Sequence, residues 1–237
     1  MNPAAALSRR SLFGALACGC AAAGLGTHVP RAMAASDKPK TTLSADQALA
    51  KLKEGNAAFV KGGACVPAGG PTQIGQLAGG QAPFAVIVGC SDSRTPPEHI
   101  FGQGLGDLFI VRVAGNTVDQ SGLGSIEYGV AVLGAPLVLV LGHSNCGAVE
   151  AAISMVQNQT VYPGAIEGMV LPIVPAVLRA QRSGGDIVAA SVKANVEDVL
   201  TGMIGTSAIL AKAHDAGTLR LAGGVYDLAT GEVAFLS

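Results

Sequence analysis

The sequence predicts an α/β fold, a parallel β-sheet core with helices packed on it. Three observations carry this. Phe84 to Val88, Leu108 to Val113 and Leu137 to Leu141 are runs of apolar residues, the second interrupted by Arg112. Runs that are continuous rather than alternating describe strands covered on both faces, as parallel sheets are. Segments of helical period lie between and after them. Aromatic residues make up 4% of the chain and Trp is absent, so Ala, Val, Leu and Gly supply the apolar bulk. That mixture suits helices packed closely on a sheet better than an aromatic-rich sandwich.

The first 34 residues read as an export signal and are set aside. Arg9-Arg10 stands directly before Ser11 to Pro30, a stretch without Asp, Glu, Lys or Arg, and Ala32-Met33-Ala34 has the small residues a signal peptidase reads. The pattern resembles a twin-arginine signal. A short membrane anchor is the other reading, but richness in Gly and Ala makes the stretch weakly hydrophobic for that role. The mature chain is therefore expected to begin near Ala35, outside the cytoplasmic membrane and in the periplasm, with no stable membrane insertion. Removal takes Cys18 and Cys20 away and leaves Cys65, Cys90 and Cys146. Three cysteines in an oxidising compartment do not form a disulfide framework, so some other chemistry must employ at least two of them.

The 237 residues suit one domain or at most two. With no internal repeat and no second boundary, residues 35–43 read as a linker and 44–237 as one domain. Ser44-Ala45-Asp46-Gln47 has capping-box spacing and opens a helix that Gly62-Gly63 ends. Gly69 to Gly80 reads mostly as loop. Gly122 to Leu133 reads as the crossover helix between the second and third strands, and Cys146 to Val156 as the helix after the third. Helical stretches follow at Ile166–Gln181 and Ile187–Ala216, the latter broken near Gly202 or Gly205. Leu219 to Tyr226 and Glu232 to Leu236, joined through Ala229-Thr230-Gly231, read as a C-terminal edge hairpin. Net charge is −1 and only 13% of residues are charged, which leaves no footprint for nucleic acid.

Chemistry concentrates where apolar strands end. Cys90-Ser91-Asp92-Ser93-Arg94 follows the first strand and His143-Ser144-Asn145-Cys146-Gly147 the third. In an open parallel sheet, ligands collect at the carboxyl ends of strands. Two such ends can bring Cys90, His143 and Cys146 to one point. Two thiolates and an imidazole are a natural set for zinc, and three protein ligands leave a fourth position open, as catalytic sites do. Taken singly, each residue has an ordinary reading: Cys90 as a small buried hydrophobe, His143 as a helix cap, Asp92 and Arg94 as a surface ion pair. Jointly, without disulfide partners, they are a metal signal.

These two motifs, with Arg112-Val113-Ala114-Gly115-Asn116 between them and Ser125-Ile126-Glu127-Tyr128-Gly129-Val130, resemble the paired signature of β-class carbonic anhydrases over residues 44–236. The resemblance implies a sheet with a core of about four parallel strands extended at one edge. It implies one Zn2+ per subunit on Cys90, His143 and Cys146, and reversible hydration of CO2 to bicarbonate and a proton by a zinc-bound hydroxide. Asp92 and Arg94 form the dyad that orients the hydroxide. Asp92 is also able to swing onto the metal as a fourth ligand, in a closed form. Gln81, Phe109, Tyr128 and Gly147 match the substrate pocket. Gln81 lies nine residues before Cys90, Phe109 nineteen after it and Tyr128 fifteen before His143. Those offsets match the plant-like subgroup, in which the Gln, Phe and Tyr come from the neighbouring subunit of a homodimer or homotetramer. The bicarbonate effector site of some bacterial members uses a Trp, which this chain lacks, so an open site with Asp92 on Arg94 is expected. The stretch Arg112-Val113-Ala114-Gly115-Asn116 departs from the usual Arg-Asn-x-Ala-Asn and leaves that loop's shape open. Two rivals stand beside this reading. One is a hydrolase of carbonyl sulfide or carbon disulfide on the same scaffold. The other is a non-catalytic zinc-binding or thiol-redox protein, weakened by the lack of any Cys-x-x-Cys pair.

Overall fold

The computed structural model describes residues 39–63 and 70–236. The signal segment, Cys18, Cys20 and Cys65 lie outside them. Among the described residues the order is α1 (Ala45–Val60), α2 (Pro71–Leu77), β1 (Ala85–Gly89), α3 (Pro97–Ile100), β2 (Leu108–Arg112), a 3-10 turn (Ala114–Asn116) and α4 (Gln120–Ala131). β3 (Leu137–His143), α5 (Gly147–Asn158), α6 (Ala165–Val170), a 3-10 turn (Leu171–Ile173), α7 (Val174–Ser183), α8 (Ile187–Thr206), α9 (Ala208–Asp215), β4 (Arg220–Tyr226) and β5 (Val233–Phe235) complete it.

The five strands form one sheet in the order β2-β1-β3-β4-β5. β1 to β4 are mutually parallel, and β5 runs antiparallel to β4 as the expected edge hairpin. The most apolar runs take the middle: every residue of β1 and β3 is buried. Side chains alternate between faces. Ala85, Ile87, Leu137, Leu139 and Leu141 pack with Leu49 and Leu52 of α1 and Ile100 of α3. Val86, Val88, Val138 and Val140 pack on the other face with Ile126 of α4, Val196 and Met203 of α8 and Leu210 of α9. A third cluster contains Cys90, Cys146, Val149, Ile153, Ile173, Val177 and Val192. It joins the loops after the strands to α5, α7 and α8.

α8 reaches the sheet closely because glycines face it. A Cβ on Gly142 would come within 2.7 Å of Val196 Cγ2, and one on Gly223 within 2.9 Å of Val196 Cγ1. Ser44 caps α1 with both halves of the capping box in place.

Two expectations are corrected, and the break expected near Gly202 or Gly205 is located two residues after Gly205. The Gly-rich loop from Gly69 to Gly80 contains α2, with Pro71 at its first position, where a missing N–H costs nothing. The stretch Ile166–Gln181 is two helices separated by a 3-10 turn at Leu171-Pro172-Ile173. The last long helix breaks at Ser207, whereas Gly202 and Gly205 sit inside α8. Ser207 Oγ accepts from Leu210 N at 3.1 Å to cap α9 and donates to Glu127 Oε1 at 2.6 Å. No helix among the described residues is long and apolar enough to cross a membrane.

Candidate metal centre

Strand order reverses between β1 and β3, since β2 lies outside β1 on one side and β4 outside β3 on the other. This is the switch point at which an open α/β sheet leaves a crevice. Cys90 follows β1 immediately and His143 ends β3. Cys146 is the N-cap residue of α5, reached through Asn145 at φ 51°, a left-handed turn that asparagine tolerates. Donor atoms of Cys90, His143 and Cys146 all lie within 4.8 Å of one another. The three residues are 5%, 1% and 2% exposed.

The donor set fits a metal ion on several grounds. Neither cysteine is in a disulfide. His143 Nδ1 lies 2.9 Å from the Ser144 carbonyl, which only accepts, so Nδ1 carries the proton and Nε2 offers its lone pair. His143 Nε2 is buried and has no hydrogen-bond partner. A buried, unpartnered acceptor is costly, and a cation removes that cost. The two thiols are unequal. Hydrogen bonding from Cys146, with further help from His143, pulls the Cys90 thiol well below its usual range. Cys146 is pushed up because it donates to Cys90 and is buried. Burial works against charge on His143, yet the Cys90 thiolate and the Ser144 carbonyl raise its pKa above the ordinary value. Two sulfurs and one imidazole nitrogen converging on a single buried point make a donor set that a divalent cation satisfies.

Asp92 stands at the open side of this cluster, with Oδ2 3.9 Å from His143 Nε2. Arg94 forks onto it: Nε donates to Oδ1 at 2.9 Å and Nη2 to Oδ2 at 2.6 Å, and the Arg94 amide adds a bond to Oδ1 at 2.9 Å. That fork holds the carboxyl far below the usual carboxylate range. Asp92 is thus ionised and acceptor-only at every working pH.

Some residues around the centre were read from the sequence only as pattern. Arg112 looks like a charged interruption in an apolar strand. Its Nε donates to the Cys90 carbonyl at 2.7 Å and its Nη2 to the Asp92 carbonyl at 2.5 Å. It so clamps both ends of the Cys90-Ser91-Asp92 segment. Thr95 Oγ1 adds a bond to the Asp92 carbonyl at 3.0 Å. Ser144 joins the His143 turn to β4, since its amide donates to the Tyr226 carbonyl and its hydroxyl accepts from Leu228 N, both at 2.9 Å. Gly115 N donates to Cys90 Sγ at 3.2 Å. Only a charged residue inside a buried run hinted at any of these.

The residues matched to a substrate pocket divide. Gly147 opens α5 beside Cys146. Phe109 and Tyr128 meet each other, with ring centroids 6.2 Å apart, and Phe109 packs in the Val86 cluster rather than with the cysteines. Tyr128 is 40% exposed and Gln81 is exposed ahead of β1. Phe109 lies on the edge strand β2 and Tyr128 on α4, which packs against β2 and β1, whereas the ligands sit at the ends of β1 and β3 and the start of α5.

Comparison with known proteins agrees with this geometry. The family model described as carbonic anhydrase matches residues 85–233. Carbonic anhydrase 2 of Mycobacterium tuberculosis is 41% identical over 180 residues, covering 76% of this chain and 87% of the relative. The carbonic anhydrase of Mycolicibacterium smegmatis is 40% identical over 186 residues, covering 78% and 90%. A crystal structure from work on two tetrameric β-carbonic anhydrases of Sordaria macrospora superposes with a TM-score of 0.62 at 28% identity, covering 70% of this chain and 87% of that one. On the shared sheet, the matched span and the identity to these relatives, the chain belongs to the β-class carbonic anhydrase family.

Proposed function

We propose that this chain is a zinc carbonic anhydrase that interconverts CO2 and bicarbonate. The observation that carries the reading is a buried Cys-His-Cys donor cluster with an ionised, Arg-held carboxylate at its open side. A purely structural metal site has no use for such a carboxylate. Cys90 and Cys146 as thiolates and His143 through Nε2 would hold the ion. Zinc bound there supplies a Lewis acid that makes hydroxide available near neutral pH. Asp92, as an ionised acceptor, would take a hydrogen bond from the nucleophilic hydroxide and so orient a lone pair toward the carbon of CO2. Arg94 keeps that carboxylate ionised and fixed in plane. Arg112 and Thr95 hold the backbone on which Asp92 rides. Gly147, without a side chain, leaves room beside Cys146 for an uncharged linear substrate.

Gln81, Phe109 and Tyr128 complete the pocket of a neighbouring subunit in this reading, which makes a dimer the working unit, alone or paired into a tetramer. The placement of Phe109 on β2 and Tyr128 on α4, apart from the chain's own ligands, supports this, as does the tetrameric relative. The Asp92–Arg94 fork supports an open site. Arg9-Arg10 and Ala32-Met33-Ala34 support export of the mature chain to the periplasm by the twin-arginine route. That route carries folded proteins, so zinc enters before Cys90 and Cys146 meet oxidants.

The test is a side-by-side assay of the zinc-loaded mature protein for CO2 hydration and for carbonyl sulfide hydrolysis. Hydration as the dominant activity is expected. Turnover of carbonyl sulfide with little CO2 hydration would replace this reading by the hydrolase.

A further inference from the structure

Asn195 is 2% exposed and lies in the interior of α8, between Val192 and Val196, which pack against the metal-bearing end of the sheet. Asparagine is a poor choice there on two counts. It favours turns over helix interiors, and its amide is costly to bury without partners. Its Nδ2 finds one: it donates to the Gly115 carbonyl at 2.8 Å, across eighty positions of sequence. Gly115 in turn donates its N–H to Cys90 Sγ at 3.2 Å.

Gly115 has φ 69°, a conformation that favours glycine. A Cβ on it would stand 2.6 Å from Ile173 Cδ1 and 3.0 Å from Ala148 Cβ. The turn is therefore pressed by Ile173 and Ala148 and tied by Asn195. The Gly115 carbonyl and N–H belong to successive peptide groups, so Asn195 reaches the sulfur only by fixing how the turn is oriented.

We propose that Asn195 is a positioning residue for the metal centre, which holds Gly115 so that its N–H stays hydrogen-bonded to Cys90 Sγ. Two thiolates cancel the formal charge of a divalent ion. A hydrogen bond to one sulfur withdraws density from it and returns part of that charge, so the ion remains a stronger Lewis acid. The same bond fixes the Cys90 side chain in the direction of the site. The proposal rests on the metal-centre reading above.

The experiment uses the mature protein loaded with cobalt(II) and, separately, with zinc. Asn195→Leu removes the amide at similar volume, and Asn195→Ser removes its reach with less crowding. Asn56→Leu is the control. Asn56 is also buried, donates to the Ile100 and Gly231 carbonyls and accepts from Val233 N, and touches neither ligand-bearing turn. Both Asn195 variants are expected to move the sulfur-to-cobalt charge-transfer band to lower energy and to weaken zinc binding by about 10–100-fold. Asn56→Leu lowers Tm and leaves band and zinc affinity where they were. An unmoved band with parent zinc affinity in the Asn195 variants would overturn the proposal, as would equal changes in Asn56→Leu. Should neither Asn195 variant fold, the parent protein loaded with cadmium-113 answers: a scalar coupling between the metal and the Gly115 amide proton is expected, and its absence overturns the proposal. Parent protein that takes up no metal would instead overturn the metal-centre reading, and this inference with it.

Discussion

Among the described residues, Asp92 is set apart from the other carboxylates by three hydrogen bonds from one residue, Arg94. Asp92→Asn exchanges an acceptor-only group for one that presents a donor. Zinc content should stay at the parent level while kcat/KM falls on the order of 10–100-fold, the usual size of a lost orienting contact. Metal analysis beside stopped-flow hydration checks this, and parent kcat in the variant would remove Asp92 from the mechanism. Arg112 yields a second expectation. Its fork holds two carbonyls at once, which a Lys ammonium cannot do. Arg112→Lys should therefore lower kcat about 10-fold while the variant still binds zinc, measured by the same pair of assays. The ligands were legible in the sequence because Cys, His and Cys at strand ends have few other uses. Arg112, Ser144 and Asn195 were not, because each acts through backbone groups that any residue type exposes, and only the folded chain shows which ones meet.

The helices show which local signals decide and which yield. Ser44 announces α1 by spacing alone, and the structure has both capping bonds. Ser44→Ala should cost about 1 kcal/mol of stability and leave zinc binding untouched, as read by denaturant unfolding and metal titration. Glycines gave poorer guidance. Gly202 and Gly205 suggested a break, yet a glycine inside a helix costs only about 1 kcal/mol, and packing of α8 on the sheet exceeds that. The break falls at Ser207 because its hydroxyl caps α9 and bonds Glu127 of α4. α2 was hidden by Gly75 inside it and Gly70, Gly79 and Gly80 around it. Gly142 marks where the sheet and α8 come closest. Gly142→Ala forces a Cβ to 2.7 Å from Val196, directly beside His143. The variant should lose about 1–3 kcal/mol by overpacking and also bind zinc more weakly, which separates it from Ser44→Ala.

For the whole molecule, parallel pairing followed from the continuous apolar runs, but strand order did not. Nothing local in Phe84 to Val88 says that β2 and β3 flank it on opposite sides, and that placement is what creates the crevice at Cys90 and His143. Arg9→Lys together with Arg10→Lys should trap the precursor inside the cell, seen by fractionation, and normal export of that variant would contradict the twin-arginine reading. Sedimentation of the mature chain should give a dimer or tetramer, and Phe109→Ala with Tyr128→Ala should reduce hydration while each chain keeps its own zinc. Catalysis in this chain depends on one zinc held by Cys90, His143 and Cys146. Zinc stoichiometry measured together with CO2 hydration, on the parent and on Cys90→Ser, His143→Ala and Cys146→Ser, tests it most directly. One zinc per chain with rapid hydration in the parent, and loss of both in all three variants, is the result predicted. Full zinc in Cys146→Ser, or a zinc-loaded parent that does not hydrate CO2, would contradict it.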